Sequence, residues 1–386
     1  MKKTAIFAGI AVLILVAIFL PFYSNKTIAP SKEENVKTSD HNTNGNTKKA
    51  PGQPEKPRTI THEATLGAVG DILIHDRVYN KAKTKNGSYD FNPMLKEVKP
   101  YLGKPDITVA NQETMIGGEK IGLSSYPSFN SPKEVGDALK ENGVDLVTLA
   151  NNHTLDRGEK AILSAIEHWN KIDMPYTGSF KSAEDQKTIR TLKQNDITFS
   201  FLSFTFGTNG IPVPKDKPYL VNLIDEAKIK EGIQQAEKIS DVVVLSLHFG
   251  NEYERMPNEE QKKLTRMAAN AGADIIIGHH PHVLQPVTWI KKRNGERTFV
   301  AYSLGNFFSG QTGPYKNIGG IMEISVKKTV TGNNEKITLE KPSFLPTWVD
   351  PSWHVHPMEQ VPSQQKKYEE IKKHMNQYVP ELQFSL

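Results

Sequence analysis

The sequence predicts an α/β protein with sheet at its centre and helices outside. Short apolar runs rich in β-branched residues alternate with stretches of helical periodicity through most of the chain, and strand-like runs dominate towards its end. No internal repeat interrupts that order. A further observation concerns chemistry: several of the apolar runs stop at a carboxylate, a carboxamide or an imidazole. Strand ends in open α/β sheets are where ligands usually bind.

The N-terminus stands apart from this body. Lys2 and Lys3 precede an uncharged run to Ser24 whose apolar core is AIFAGIAVLILVAIFLPFY. At about 1.5 Å per helical residue, such a run nearly spans a hydrocarbon core of about 30 Å. The flanking lysines favour a cytoplasmic N-terminus. LPFYSN is too bulky for a small-x-small cleavage site, so residues 1–24 read as an uncleaved signal-anchor rather than a cleaved leader. Residues 25–62, rich in Lys, Asn, Thr, Pro and Glu and without aromatics, cannot bury enough surface to offset chain entropy; a disordered tether is expected. Together they predict a single-pass protein of the cell membrane, with its folded body on the extracytoplasmic side.

Charge follows the same division. The net charge is +5, and Lys2, Lys3 and the tether account for all of it. After His62, Lys and Arg balance Asp and Glu, so the body is not a basic surface for nucleic acid. With no cysteine there is no disulfide, no zinc–thiolate site, no cysteine nucleophile and no lipid-modified cysteine.

Within the body, Ala64–Val69 reads as a strand followed by Gly70 and Asp71. Phe91–Tyr101 has helical spacing, and Ile107–Ala110 is a strand running into Asn111, Gln112 and Glu113. A helix over Pro132–Asn142 closes at Gly143. The strand Asp145–Ala150 then meets Asn151, Asn152, His153 and Asp156. Arg157–Lys171 is an amphipathic helix and Pro175–Gly178 a short strand. Thr188–Lys193 and Ile197–Phe204 form a hairpin around Gln194, Asn195 and Asp196. After a helix over Ile224–Ile239, the strand Asp241–Leu247 stops at His248. A helix over Asn258–Ala271 leads to the apolar run Ala273–Ile277, then Gly278 and three histidines, His279, His280 and His282. Thr298–Leu304 ends in Gly305 and Asn306. Ile318–Lys327 and Lys336–Pro342 are late strands. Residues 63–345 are read as one domain. Residues 346–386, with Trp348, Trp353, His354, His356 and a polar helix from Ser363 to about Tyr378, are read as an extension packed on it, its aromatics covering a sheet edge.

A lone aspartate after a strand is more often a helix cap than a ligand. Asp71, Glu113, Asn152 with His153, His248 and the 279–282 histidines form a set, and each lies just past an apolar strand. Carboxylate oxygens with imidazoles suit Mn, Fe or Zn, as one ion or as two about 3.5–4 Å apart across a bridging carboxylate. An uncoordinated histidine beside them could protonate a leaving group.

The segments AVGDILIHD, VANQET, LANNHTLDRG, LSLHFGNEYE, GADIIIGHHPHV and YSLGNFF, in that order, resemble the CapA family of poly-γ-glutamate capsule synthesis proteins, a relative of the calcineurin-like metallophosphoesterases. The resemblance implies a metallophosphoesterase-like β-sandwich flanked by helices. It places Asp71, Glu113, Asn152, His248, His280 and His282 as metal ligands and His153 as proton donor. His279 falls on a glycine-like position and is a neighbour, as are Asn151 and Glu252. The sequence departs from the superfamily's first Asp-x-His motif: position 73 is Leu, and His75 comes two residues later. Position 113 holds Glu where Asp is usual. Both departures imply a single-metal or weak dinuclear centre. Glu252 and Glu254 are open to three readings: compensating ligand, substrate contact or rim charge. The family further implies a role in poly-γ-glutamate synthesis or export beside membrane-embedded synthase subunits. The alternatives are a general extracytoplasmic phosphoester hydrolase and a non-catalytic module that kept the fold.

Overall fold

The computed structural model describes residues 58–386. The expected anchor and nearly all of the expected tether lie outside the described residues. Among the described residues no helix is long and apolar enough to cross a membrane.

The strands are β1 (Thr59–Leu73), β2 (Ile107–Gln112), β3 (Leu146–Thr148), β4 (Tyr176–Thr177), β5 (Arg190–Gln194), β6 (Ile197–Thr205), β7 (Val242–His248), β8 (Ile275–His279), β9 (Leu284–Lys291), β10 (Arg297–Leu304), β11 (Asn306–Ser309), β12 (Ile318–Thr331), β13 (Asn334–Val349) and β14 (Val355–Pro357). One sheet has the order β14-β13-β12-β1-β2-β3-β4, with β11 beside the end of β1; the other runs β5-β6-β7-β8-β10-β9. In each sheet the central strands are parallel, β1-β2-β3-β4 and β6-β7-β8-β10, and antiparallel strands extend the edges.

The two sheets share a core. Leu66, Ala68, Val109 and Leu146 from the first pack in one cluster with Phe199, Phe201, Val244, Ile275 and Phe299 from the second. Side chains of opposite parity point outward to the helices. Val69 and Val147 cluster with Leu139, Ile162 and Trp169, the latter two on helix Gly158–Lys171. Val243, Leu245 and Ile276 cluster with Ile229 and Ile233 of helix Glu226–Ala236 and Ala268 of helix Glu259–Ala271. The layers are therefore helix, sheet, sheet, helix. Helix Glu259–Ala271 starts where the sequence expects, because Asn258 and Gln261 form a reciprocal capping box.

The structure departs from the sequence expectation in several places. β1 begins at Thr59, so the last residues of the expected tether, Thr59 to His62, are strand, paired with Thr331 to Lys328 of β12. The helix expected over Phe91–Tyr101 is two short turns, Asn92–Leu95 and Lys99–Leu102, the second carrying Pro100, which has no N–H to continue a helix. β9 has no counterpart in the sequence reading. It contains Pro286 and is the edge strand of its sheet, where proline is tolerated. The boundary expected at residue 345 falls inside β13, and the tail is integral to the domain. β14 adds to the sheet edge, and helix Gln365–Met375 inserts Tyr368, Ile371 and Met375, spaced for one helical face, into the inter-sheet core.

Candidate metal centre

Inward positions along four strands turn from apolar to polar at their C-terminal ends: Val109 gives way to Asn111, Val244 to Ser246 and His248, Ile277 to His279, and Phe201 to Ser203 and Thr205. β1 reaches the same level by a different device. Ala64, Leu66 and Ala68 face inward, so strict alternation would send Asp71 outward with Val69. A register shift against β2 between Val69 and Asp71 resets the parity, and Asp71 pairs with Asn111. Only glycine fits at position 70, where a Cβ would collide with the carbonyl oxygens of Leu304 and Gly305. Gly305, at φ +64, is the corner where the chain leaves β10 in one sheet for β11 in the other. Its carbonyl accepts from the Asp71 N–H at 2.8 Å.

Asp71 is fully buried and fully bonded. Its Oδ1 accepts from Asn111 Nδ2 at 2.9 Å and lies 3.2 Å from His279 Nδ1; its Oδ2 lies 3.2 Å from His282 Nδ1. Burial works against its charge, yet those two histidines hold its carboxyl well below the usual range. His282 Nδ1 also lies 3.1 Å from Asn306 Oδ1. Burial opposes the charged form of His282, but the carboxylates of Glu113 and Asp71 raise it to about 9.

Glu113 is the contrasting carboxylate. It is buried, and neither oxygen has a hydrogen-bond partner. His248 Nε2 stands 3.6 Å and His282 Nε2 3.7 Å from its Oε1. Burial pushes its carboxyl well above the usual range. The Asp71–His282 pair carries the charge, because Asp71 has donors and Glu113 has none. His280 Nδ1 is likewise buried without a partner, and burial lowers its pKa to about 4. Donor atoms of Glu113, His280 and His282 all lie within 4.8 Å of one another, a group that can hold a metal ion. Orphaned carboxylate and imidazole atoms converging in a buried space are the atoms a borderline divalent cation requires, so the residues fit such an ion. His280 and His282 adopt backbone with positive φ, +97 and +58, which is uncommon for non-glycine residues.

The loop after β3 brings the remaining groups. Asn152 Oδ1 lies 2.7 Å from His248 Nε2. His153 Nδ1 lies 2.7 Å from Asp156 Oδ2, and the His153 ring packs edge-on against Phe129. Asn151 holds the loop: its amide donates to the carbonyls of Gln112 and Leu149, and its oxygen accepts from the His153 N–H. The structure therefore gathers Asp71, Glu113, Asn152, His248, His280 and His282 around one buried space, with His279 against Asp71 and His153 close by. Glu252 is exposed at the rim. His75 turns its Nδ1 to the Leu73 carbonyl at 3.0 Å.

Four contributors were not singled out from the sequence as site residues. Asn111 and Asn306 do follow apolar strands, the signal that marked the others. Asp156 is revealed only by its bond to His153. Asn209, in the loop after β6, accepts from Asn152 Nδ2 at 3.2 Å. Its TNG context reads as an ordinary turn, so no sequence signal marks it.

A family model described as bacterial capsule synthesis protein PGA_cap matches residues 65–311. The chain is similar to the PGA biosynthesis protein CapA of Bacillus subtilis (strain 168), 31% identical over 74% of this chain and 74% of that one. It is also similar to the capsule biosynthesis protein CapA of Bacillus anthracis, 30% identical over 64% of this chain and 60% of that one. Among solved structures, a hypothetical protein from Thermus thermophilus is similar at 14% identity and a TM-score of 0.41, covering 72% of this chain and 98% of that one, which is too distant to add to the assignment.

Proposed function

This chain belongs to the bacterial capsule synthesis protein family PGA_cap, and from that premise we propose that it acts in poly-γ-glutamate synthesis or export at the outer face of the membrane through a divalent-metal centre. The apolar segment from Thr4 to Ser24 would anchor it there, and membrane-embedded synthase subunits would be its partners. The observation that carries the metal reading is Glu113: a buried carboxylate with no donor, facing His248, His280 and His282. Leaving a buried polar group unpaired costs a folded protein about 1–3 kcal/mol, and more for a charged group. A bound cation removes that cost.

In this reading Asp71, Glu113, Asn152, His248, His280 and His282 hold the ion. Leu73, buried and apolar where the superfamily has a histidine, favours one tight ion over two. When bound, the ion supplies a Lewis acid that polarises an oxygen of the substrate. His153 donates its Nδ1–H to Asp156, which fixes the tautomer and leaves Nε2 to carry or release a proton. Phe129 limits solvent at that ring.

Metal analysis of the purified full chain tests the centre. The wild type should hold Mn, Fe or Zn, and Glu113→Gln and His282→Ala should each lose it. Equal metal in all three would remove the reading. Deleting the gene should reduce polymer at the cell surface, and unchanged polymer would remove the capsule role. The His153–Asp156 pair favours a second reading, general phosphoester hydrolysis. It predicts turnover of bis-p-nitrophenyl phosphate that His153→Ala abolishes. Metal without turnover would instead support a non-catalytic module.

A further inference from the structure

The turn that carries His280 and His282 is held from outside by two loops. In the loop after β7, the Tyr253 N–H donates to the carbonyl of Pro281, between the two histidines, at 2.8 Å. In the loop after β11, the Lys316 carbonyl accepts from Asn306 Nδ2 at 2.7 Å, and Asn306 Oδ1 lies 3.1 Å from His282 Nδ1. The position of each loop is thus passed to the histidines through one or two hydrogen bonds.

The two loops meet again on the C-terminal helix Gln365–Met375, at Glu370. Arg255, two residues after Tyr253, donates from Nη1 to Glu370 Oε1 at 2.9 Å. Tyr315, next to Lys316, donates its hydroxyl to the same oxygen. The Arg255 guanidinium lies 3.8 Å over the Tyr315 ring. Lys367 donates to the other Glu370 oxygen at 2.7 Å. These donors, Lys367 first and Tyr315 next, hold the Glu370 carboxyl down at about 2, so the acceptor stays charged and its bonds are strong. The same helix adds a third tie: His374 Nε2 lies 3.0 Å from the carbonyl of Leu284, the first residue of β9.

A surface ion pair normally contributes little and leaves its spare donors in water. Here Arg255 Nε and Nη2 are buried without a partner. A guanidinium held in that state costs stability, and among the described residues its side chain hydrogen-bonds only to Glu370. The arrangement therefore serves geometry more than stability. We propose that Glu370 is a positioning residue: through Arg255 and Tyr315 it fixes both loops, and through them the turn that aims His280 and His282. That the aimed histidines hold a metal rests on the function proposed above; the clamp itself rests on these bonds.

The test uses the full chain, first without added metal. Glu370→Ala should speed hydrogen exchange at the Tyr253 amide by about five-fold or more, as expected when a local opening becomes easier. It should also move the ring ¹⁵N signals of His280 and His282. Glu370→Gln keeps an acceptor for Arg255 and Tyr315 and should restore most of both. Glu369→Ala, on the same helix and paired with Lys372 at 3.5 Å, should leave both at wild type. Titration with Mn or Zn should then show Glu370→Ala binding about three- to ten-fold more weakly, less than the roughly 10–100-fold lost with a ligand's own hydrogen-bond partner. A wild type that takes up no metal removes the metal reading, and the exchange and ring signals still decide the clamp. Unchanged Tyr253 exchange in Glu370→Ala overturns the proposal. So does faster exchange with unmoved ring signals, which would confine Glu370 to holding the loops.

Discussion

The lower and upper halves of the space between the sheets are lined by the same strands and the same inward parity, yet they serve opposite ends. Below, Val109, Val244, Ile277 and Phe201 meet Phe199, Phe299 and Leu66 in a dry core. Above, the next inward positions are Asn111, Ser246, His279 and Ser203, with Asp71 and Glu113 beside them, all buried. The lower half stabilises by removing apolar area from water. The upper half holds polar groups that a packed core would not keep, one of them a carboxylate with no partner. The change comes at one level in several strands, and that level is where the fold stops optimising stability.

The largest test of this contrast is Phe299→Ala in the lower half, where the ring is fully buried. Truncating a buried phenylalanine typically costs about 3–5 kcal/mol, read by urea unfolding, while metal in the folded fraction should stay at wild-type level. A loss under about 1 kcal/mol would mean the dry half is not what holds the sheets together. Gly70→Ala comes next. Its methyl group has no room against the carbonyls at the β10–β11 corner, and overpacking costs about 1–3 kcal/mol. It should also lower metal affinity, since the bulge is what aims Asp71 inward. Unfolding and metal titration would separate the two effects; lost stability with unchanged metal would show that Asp71 does not need the bulge.

In the upper half the sign should reverse. Glu113→Leu removes a buried carboxyl that no donor satisfies and puts an apolar side chain in its place. The metal-free protein should become more stable by about 1–2 kcal/mol, within the usual penalty for an unsatisfied buried group. The same variant should no longer gain stability from added metal, because the ligand linkage is gone. A destabilised metal-free variant would show that Glu113 has partners the contrast denies it.

The sequence revealed the upper half better than its surroundings, and the reason is physical. A polar side chain directly after an apolar run is a local signal, and it marked Asp71, Glu113, Asn152, His248 and the 279–282 histidines. The parity reset at Gly70 depends on carbonyls of residues 304 and 305, more than 200 positions away, so no local pattern announces it. β9 was hidden by Pro286, acceptable only because the strand lies at an edge. The C-terminal helix looked polar because its buried stripe is only Tyr368, Ile371 and Met375 in a lysine-rich sequence. Glu370 was equally illegible, since a glutamate in such a helix gives no hint of which loops it grips.

The smallest expected effect belongs to Asn209, and it decides whether the loop after β6 is part of the upper half or merely near it. Its Oδ1 accepts from Asn152 Nδ2 at 3.2 Å, and its Nδ2 lies 3.3 Å from His153 Nδ1. Only one of these can be a working bond while His153 donates its single Nδ1 proton to Asp156 at 2.7 Å. The Asn152 contact is that bond. Asn209→Ala deletes the acceptor and should cost about 0.5–1.5 kcal/mol, the net value of a typical hydrogen bond. Asn209→Asp keeps the acceptor and should stay closer to wild type in both unfolding and metal affinity. Because Asn152 also faces His248, freeing its amide should weaken metal binding in the alanine variant, by less than the loss of any ligand. Identical metal affinity in the wild type, Asn209→Ala and Asn209→Asp would place the loop outside the centre and confine the polar half to groups carried at strand ends.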